Sequence, residues 1–279
     1  TFHMEGFLDG LPVSGRIRLT DEPEESIVIC TPFEKPGHFY YNQKINCMRA
    51  SGSVLVGGRE YVFDPADSFG VLDWGRGVWT YHNTWYWGSA SGQVDGIPFG
   101  WNIGYGLGDC SAASENMLFY NGRAHKLSQV KFNIPGNEKD FMSPWTFTSD
   151  DGRFEMDFVP MLDRAACTDV KLIKSDQHQV FGRFTGKAVL DDGTVIEVRD
   201  FPGFAEKVEN KTIAFGVSED MHLAQNTVAD AQMCQRCSGM FTYDYRQYGQ
   251  LGTYHCENCG FARAKLDVHA HNVTFDGGI

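Results

Sequence analysis

Four hairpin signals constrain this chain more than any other feature. "SVLVGGREYVF" sets Gly57-Gly58 between two apolar, β-branched runs, and "NMLFYNGRAHKL" sets Asn121-Gly122 between two more. "WTFTSDDGRFEMDF" turns at Asp151-Gly152 and "GKAVLDDGTVIEV" at Asp192-Gly193. Such dipeptides supply the positive φ that tight hairpin turns require. No stretch before residue 210 keeps a 3.6-residue period over a dozen positions. Many short strands punctuated this way predict a mainly β chain, a sandwich or an antiparallel barrel, which closes on itself and avoids exposed edges.

At 279 residues and 42% hydrophobic, the chain can bury a sizeable core as one large domain or two smaller ones. Its net charge of -12 argues against a nucleic-acid partner and against docking on anionic lipid. No run of 18 apolar residues is present, so no membrane-spanning helix is expected. "TFHMEGFLDG" does not read as a signal peptide. After Asn210 the texture changes. "TIAFGV" reads as a short strand, "SEDMHLAQNTVADAQ" as a polar stretch with a brief helix, and "KLDVHAHNVTF" as an alternating strand. The pattern divides the chain into a β-domain over 1–210 and a smaller segment over 211–279.

The smaller segment holds Cys234, Cys237, Cys256 and Cys259, two Cys-x-x-Cys pairs with eighteen residues between them. Cys30, Cys47, Cys110 and Cys167 are scattered singly. Clustered pairs in a chain with a good core favour metal over disulfides and point to a reducing, cytoplasmic setting. Zn²⁺ takes four soft ligands in a tetrahedron, and two knuckles joined by a β-hairpin complete the shell. "FTYDYRQY" and "TYHC" read as strands and "GQLG" as their turn. Four sulfurs leave no open position for water, so the expected zinc is structural and not catalytic. The run Cys234-x-x-Cys237, then Gly249-x-Leu251-Gly252-x-Tyr254-x-Cys256-x-x-Cys259-Gly260-Phe261-x-Arg263, resembles the zinc ribbon of the MurT family. Those subunits work with a GatD glutaminase to amidate the peptidoglycan precursor lipid II, so the resemblance implies a GatD-like glutamine amidotransferase as a partner. The family's phosphate-binding loop is absent: "GRFTGKA" has the wrong spacing and reads as a strand.

Five of the six tryptophans lie between Trp74 and Trp101. Trp85 and Trp87 share parity on a strand and therefore a face, with Asn83 two residues earlier and Trp79 or Trp101 expected opposite. Rings in a small barrel either fill it or line a pocket for an apolar ligand. Polar residues interleave with them: Asp73, Arg76, Asn83, Asn102 and Asn116 as ligand contacts, Glu115 and Asp109 as carboxylates for acid–base work. Asp73 and Arg76, three apart around Gly75, read either as a ligand clamp or as an ion pair locking a turn. Asp163-Arg164 reads as a loop ion pair.

"LDWGRGVWTYHNTWYWGSASG", "GWNIGYGLGD", "SENMLFYNGRAHKL", "PMLDR", "QVFGRFTGKAVLDDG" and "GFAEKVEN" resemble domain-of-unknown-function family 2804 over residues 1–210. That family is similar to a lipocalin-like group that includes AttH-like proteins and carotenoid hydratases, so the resemblance implies a lipocalin-like β-barrel. The hydratase signature Asp-His-x-Trp-Gly falls on Thr84-Trp85-Tyr86-Trp87-Gly88, where Trp87 and Gly88 match and the acid and histidine do not. The two resemblances meet near residue 210, in a natural fusion or a chimera. The reading is a lipocalin-like domain binding a small apolar ligand and carrying a structural zinc ribbon. Two alternatives stand beside it: a hydratase or isomerase using Glu115 or Asp109, and a MurT fragment acting as an interaction module.

Overall fold

The computed structural model describes residues 1–169 and 174–211, together with strands at 241–244, 251–256, 262–266 and 274–275. The described residues are mostly strand with almost no helix, in curled half-barrel sheets. One sheet is built from β1 (Phe2–Leu8), β2 (Leu11–Thr20), β3 (Ile27–Pro32), β4 (Phe39–Val56), β5 (Arg59–Phe63) and β6 (Phe69–Val78). Its spine is β4, which pairs with β2, β3, β5 and β6. A nine-stranded sheet follows from β7 (His82–Val94), β8 (Ile97–Tyr105), β9 (Met117–Tyr120), β10 (Arg123–Lys126), β11 (Val130–Asn133), β12 (Trp145–Ser149), β13 (Phe154–Asp169), β14 (Lys174–Val189) and β15 (Val195–Lys211). Their spatial order is 10-9-8-7-15-14-13-12-11, all antiparallel. A small sheet joins β16 (Phe241–Asp244), β17 (Leu251–Cys256) and β18 (Ala262–Leu266), and β19 (Thr274–Phe275) pairs with β1.

All four expected hairpins form. Asn121 and Gly122 have φ of 50° and 80°, the all-positive pair that matches the twist of the flanking strands. Asp9-Gly10 and Asp95-Gly96 do the same between β1 and β2 and between β7 and β8. "GRFTGKA" is strand, inside β14. Asp163 and Arg164 lie within β13 and not in a loop, so their side chains point to opposite faces. Asp163 accepts from His178 at 2.7 Å, and Arg164 donates to Gln179. Leu251 and Gly252, read as turn residues, open β17.

The barrel-like curl is shared between two sheets. The nine-stranded sheet bends until β11 returns to β8, where the Phe132 amide donates to the Tyr105 hydroxyl. Its concave face encloses an aromatic core of Phe99, Trp101, Phe132, Trp145, Phe147, Phe154, Phe158 and Phe184, each 1% exposed or less. A single barrel buries one face of its wall. Here β7 and β8 bury both: Ala90 and its partner Trp101 on one side, Ser89 and its partner Asn102 on the other. The second side meets β4, where Asn46 donates to Ser89 at 2.8 Å and Ser91 accepts from the Cys47 amide. The expected strand in 212–217, the expected helix in 218–232, and Cys234, Cys237 and Cys259 lie outside the described residues.

Candidate functional site

The candidate site lies where β4 and β6 face β7, β8 and β15. In β4, residues Tyr40, Asn42, Lys44 and Asn46 alternate onto one face. A bulge between Ile45 and Met48, with Cys47 at φ 61°, ends that stripe. Register pairs Lys44 with Asp73 and Asn42 with Gly75, so Asp73 is inward while Trp74 and Arg76 are outward. Gly75 is needed for space, since a Cβ there would meet the Tyr40 hydroxyl at 2.6 Å.

Lys44, with a side chain only 5% exposed, joins two carboxylates: Glu115 at 2.9 Å and Asp73 at 3.5 Å. Its ammonium lies 4.0 Å from the ring centroid of Trp87, a cation–π contact. Glu115 reaches in from the loop between β8 and β9. Asn102 donates to its backbone carbonyl at 2.9 Å and to its carboxylate at 3.3 Å, and Asn42 donates at 3.4 Å. Asn116 anchors the loop, accepting from the Gly104 amide and donating to the Ser128 carbonyl. A third carboxylate, Glu206 on β15, is 4% exposed and accepts from Trp85 Nε1 and Gln179, both at 3.0 Å. Trp87 Nε1 donates to Asn102 at 2.7 Å. Trp79 packs edge-on against both Tyr40 and Trp85, at 5.4 and 5.9 Å between centroids.

One lysine cannot neutralise three carboxylates. Burial pushes the Asp73 carboxyl above its ordinary range, with Lys44 pulling it back and Glu115 pushing it further. Burial raises Glu206 as well, against the Trp85 hydrogen bond and Lys44. Burial and the charges of Asp73 and Glu115 push the Tyr40 phenol up. Solvent reaches the cluster at Asp73 and Glu115, whose side chains are 28% and 19% exposed. Lys44, Glu206, Asn42 and Asn102 form its floor.

Of the residues singled out in the sequence, Asp73, Trp79, Trp85, Trp87, Asn102 and Glu115 come together here. The others are elsewhere. Trp101 lies on the opposite face of β8, fully buried against Phe99, Phe154, Phe184 and Phe201, so it does not face Trp85 and Trp87. Asn83 shares their parity, but its amide is met by Thr80, to which it donates and from which it accepts. Arg76 is exposed and three residues from Asp73, on the other face of β6, so the expected clamp or ion pair between them does not form; Asp73 pairs with Lys44. Asp109 is exposed, and hydrogen bonds from Ser111 hold its carboxyl below the usual range, which suits a turn and not a proton donor. Asn116 is structural. Tyr40, Asn42, Lys44, Asn46 and Glu206 were not anticipated. The one signal for the first four was the polar alternation of "YYNQKIN", which reads as a solvated strand face, and Glu206 had none.

Of the four cysteines expected to hold zinc, Cys256 is described only in its backbone, as the last residue of β17 and the register partner of Phe241 on β16. That antiparallel pairing sets Cys256 opposite Phe241, four residues after Cys237 in sequence. Among the described residues no helix is long and apolar enough to cross a membrane.

Two Lipid II isoglutaminyl synthase (glutamine-hydrolyzing) subunit MurT proteins, from Staphylococcus aureus strains COL and N315, are each 35% identical to this chain over 71 residues. The match takes in 24% of this chain, which spans only 16% of the length of those relatives. Kievitone hydratase from Nectria haematococca superposes with a TM-score of 0.38 at 11% identity, over 77% of this chain and 65% of that one. Residues 1–212 match the model of the Domain of unknown function (DUF2804) family, and the chain belongs to that family.

Proposed function

We propose that the inter-sheet cluster binds a small, largely apolar ligand, with its body against Trp79 and Trp85 and its polar group at Asp73 and Glu115. One observation carries this reading: Lys44 ties together two carboxylates that solvent still reaches, beneath indole rings whose N–H groups are already engaged. Apolar walls with a few convergent polar groups are typical of ligand sites. Titration with a neutral solvatochromic dye such as Nile red tests it. The dye should bind the wild type and bind more weakly to Trp79→Ala and Trp85→Ala, with Trp74→Ala, on the outer face, as control. Equal binding by all four proteins would remove the site.

A second reading, proton transfer of the hydratase or isomerase kind, is favoured by Asp73. Its raised carboxyl stands protonated at a higher pH than an ordinary aspartate and lies within reach of solvent. Glu115 and not Asp109 is the partner carboxylate. Asp73→Asn should then abolish turnover of a bound alkene or alcohol while leaving its binding intact; retained turnover would leave a binding protein.

For the C-terminal segment we propose a structural zinc held by Cys234, Cys237, Cys256 and Cys259, a reading supported by the donor set and by the β16–β17 pairing. Protein purified without chelators should carry one zinc per chain by elemental analysis. A value near zero would overturn this assignment.

A further inference from the structure

We infer that the inter-sheet site selects ligands whose polar group is a hydrogen-bond donor carrying positive charge, an ammonium on an apolar body, and discriminates against carboxylate ligands. The inference rests on the ligand-site reading above and goes beyond it by fixing the chemistry of the head group.

Its basis is the balance of donors and acceptors. The ammonium of Lys44, the amides of Asn42, Asn46 and Asn102, and the N–H groups of Trp85 and Trp87 are engaged within the fold. Lys44 serves Asp73 and Glu115. Asn102 Nδ2 serves Glu115, and Asn42 Nδ2 serves the same carboxylate. Asn46 Nδ2 serves Ser89 and the Trp101 carbonyl. The indole N–H groups of Trp85 and Trp87 serve Glu206 and Asn102. What remains is acceptor capacity. Asn42 and Asn46 are both 0% exposed, yet their Oδ1 atoms have no hydrogen-bond partner among the described residues. Buried oxygens without partners are costly and uncommon. Asn42 cannot relieve this by turning its amide over without giving up its bond to Glu115.

Charge points the same way. Three carboxylates share one ammonium, so the site carries an excess of negative charge where solvent enters, at Asp73 and Glu115. A carboxylate head arriving there would find two like charges, with the Lys44, Asn42, Asn102, Trp85 and Trp87 donors already engaged. An ammonium would find acceptors and opposite charge beside the Tyr40 and Trp79 rings.

The test uses three ligands with one body and different heads: 1-naphthylmethylamine, 1-naphthylmethanol and 1-naphthoate, titrated by calorimetry near neutral pH. The amine should bind at least about tenfold more tightly than the naphthoate, with the alcohol between. The amine's advantage should shrink in Asp73→Asn and in Glu115→Gln, two near-isosteric changes whose folding is checked by circular dichroism. Added salt should weaken the amine more than the alcohol in the unmodified protein, a readout that needs no variant. Naphthoate binding as tightly as the amine, or an amine advantage untouched by both substitutions and by salt, would overturn the inference. If all three bind alike and Trp79→Ala weakens all three, the site stands and its charge preference is wrong. If none binds, the ligand-site reading fails and this inference fails with it.

Discussion

The two faces of the nine-stranded sheet use the same residue types for opposite purposes. On the concave face, Trp101 and Trp145 are fully buried among phenylalanines, and their indole N–H groups have no partner among the described residues. On the other face, Trp85 and Trp87 are partly buried, and each N–H is held by a polar side chain from a neighbouring strand. The first pair acts as bulk: packing outweighs a lost hydrogen bond. The second pair is oriented, each ring fixed by a directional bond beside charged groups. A tryptophan's N–H partner therefore separates filler from wall more cleanly than its burial does.

Removing filler should cost the most. Trp101→Ala deletes a fully buried ring that touches four phenylalanines and should lower unfolding free energy by about 3–5 kcal/mol. Denaturant titration checks this, and a loss no larger than that of Trp85→Ala would erase the distinction between the faces. Lys44→Met should come next, at about 3 kcal/mol, because it strands Asp73 and Glu115 without their cation. A neutral result would mean that the Lys44 charge does not hold the cluster together.

Trp85→Ala should cost less, about 1–3 kcal/mol, mostly through the donor that Glu206 loses. Trp85→Phe, which keeps the ring and removes the N–H, should recover little of it; full recovery would make Trp85 another packing residue. The smallest effect is on pH dependence. Asp73 and Glu206 have folded values raised above their unfolded ones. Between the ordinary carboxylate range and those raised values the folded chain binds more protons than the unfolded chain, so stability falls as pH rises through that window. Carboxyls held low, such as Asp140 and Asp192, contribute stability that is lost only as pH drops below the ordinary range. Unfolding measured as pH rises out of the ordinary carboxylate range should show a downward slope that Glu206→Gln flattens. An unchanged slope would place the titration on other groups.

The turns were legible because their chemistry is local. Asn121, Gly122 and Gly193 take positive φ whatever surrounds them, so the hairpins they close could be read without any partner. The parity of Asn83, Trp85 and Trp87 was equally local, since side chains alternate along any strand. Which face each parity meets was not. Trp101 belongs to the other face because of how β7 pairs with β8: Ala90 opposite Trp101, Ser89 opposite Asn102.

The strand content, the hairpin positions and the Trp-rich segment followed from turn propensity and a two-residue period, both properties of a few adjacent residues. The division into two sheets and the membership of the site did not. Tyr40, Asn42, Lys44 and Asn46 look like a solvated stripe until β4 is laid over β7 and β8, and Glu206 looks like a surface glutamate until it is set beside Trp85. Burial turns a polar stripe into a charge cluster. Burial here is a contact between strands more than forty residues apart, so no local pattern encodes it.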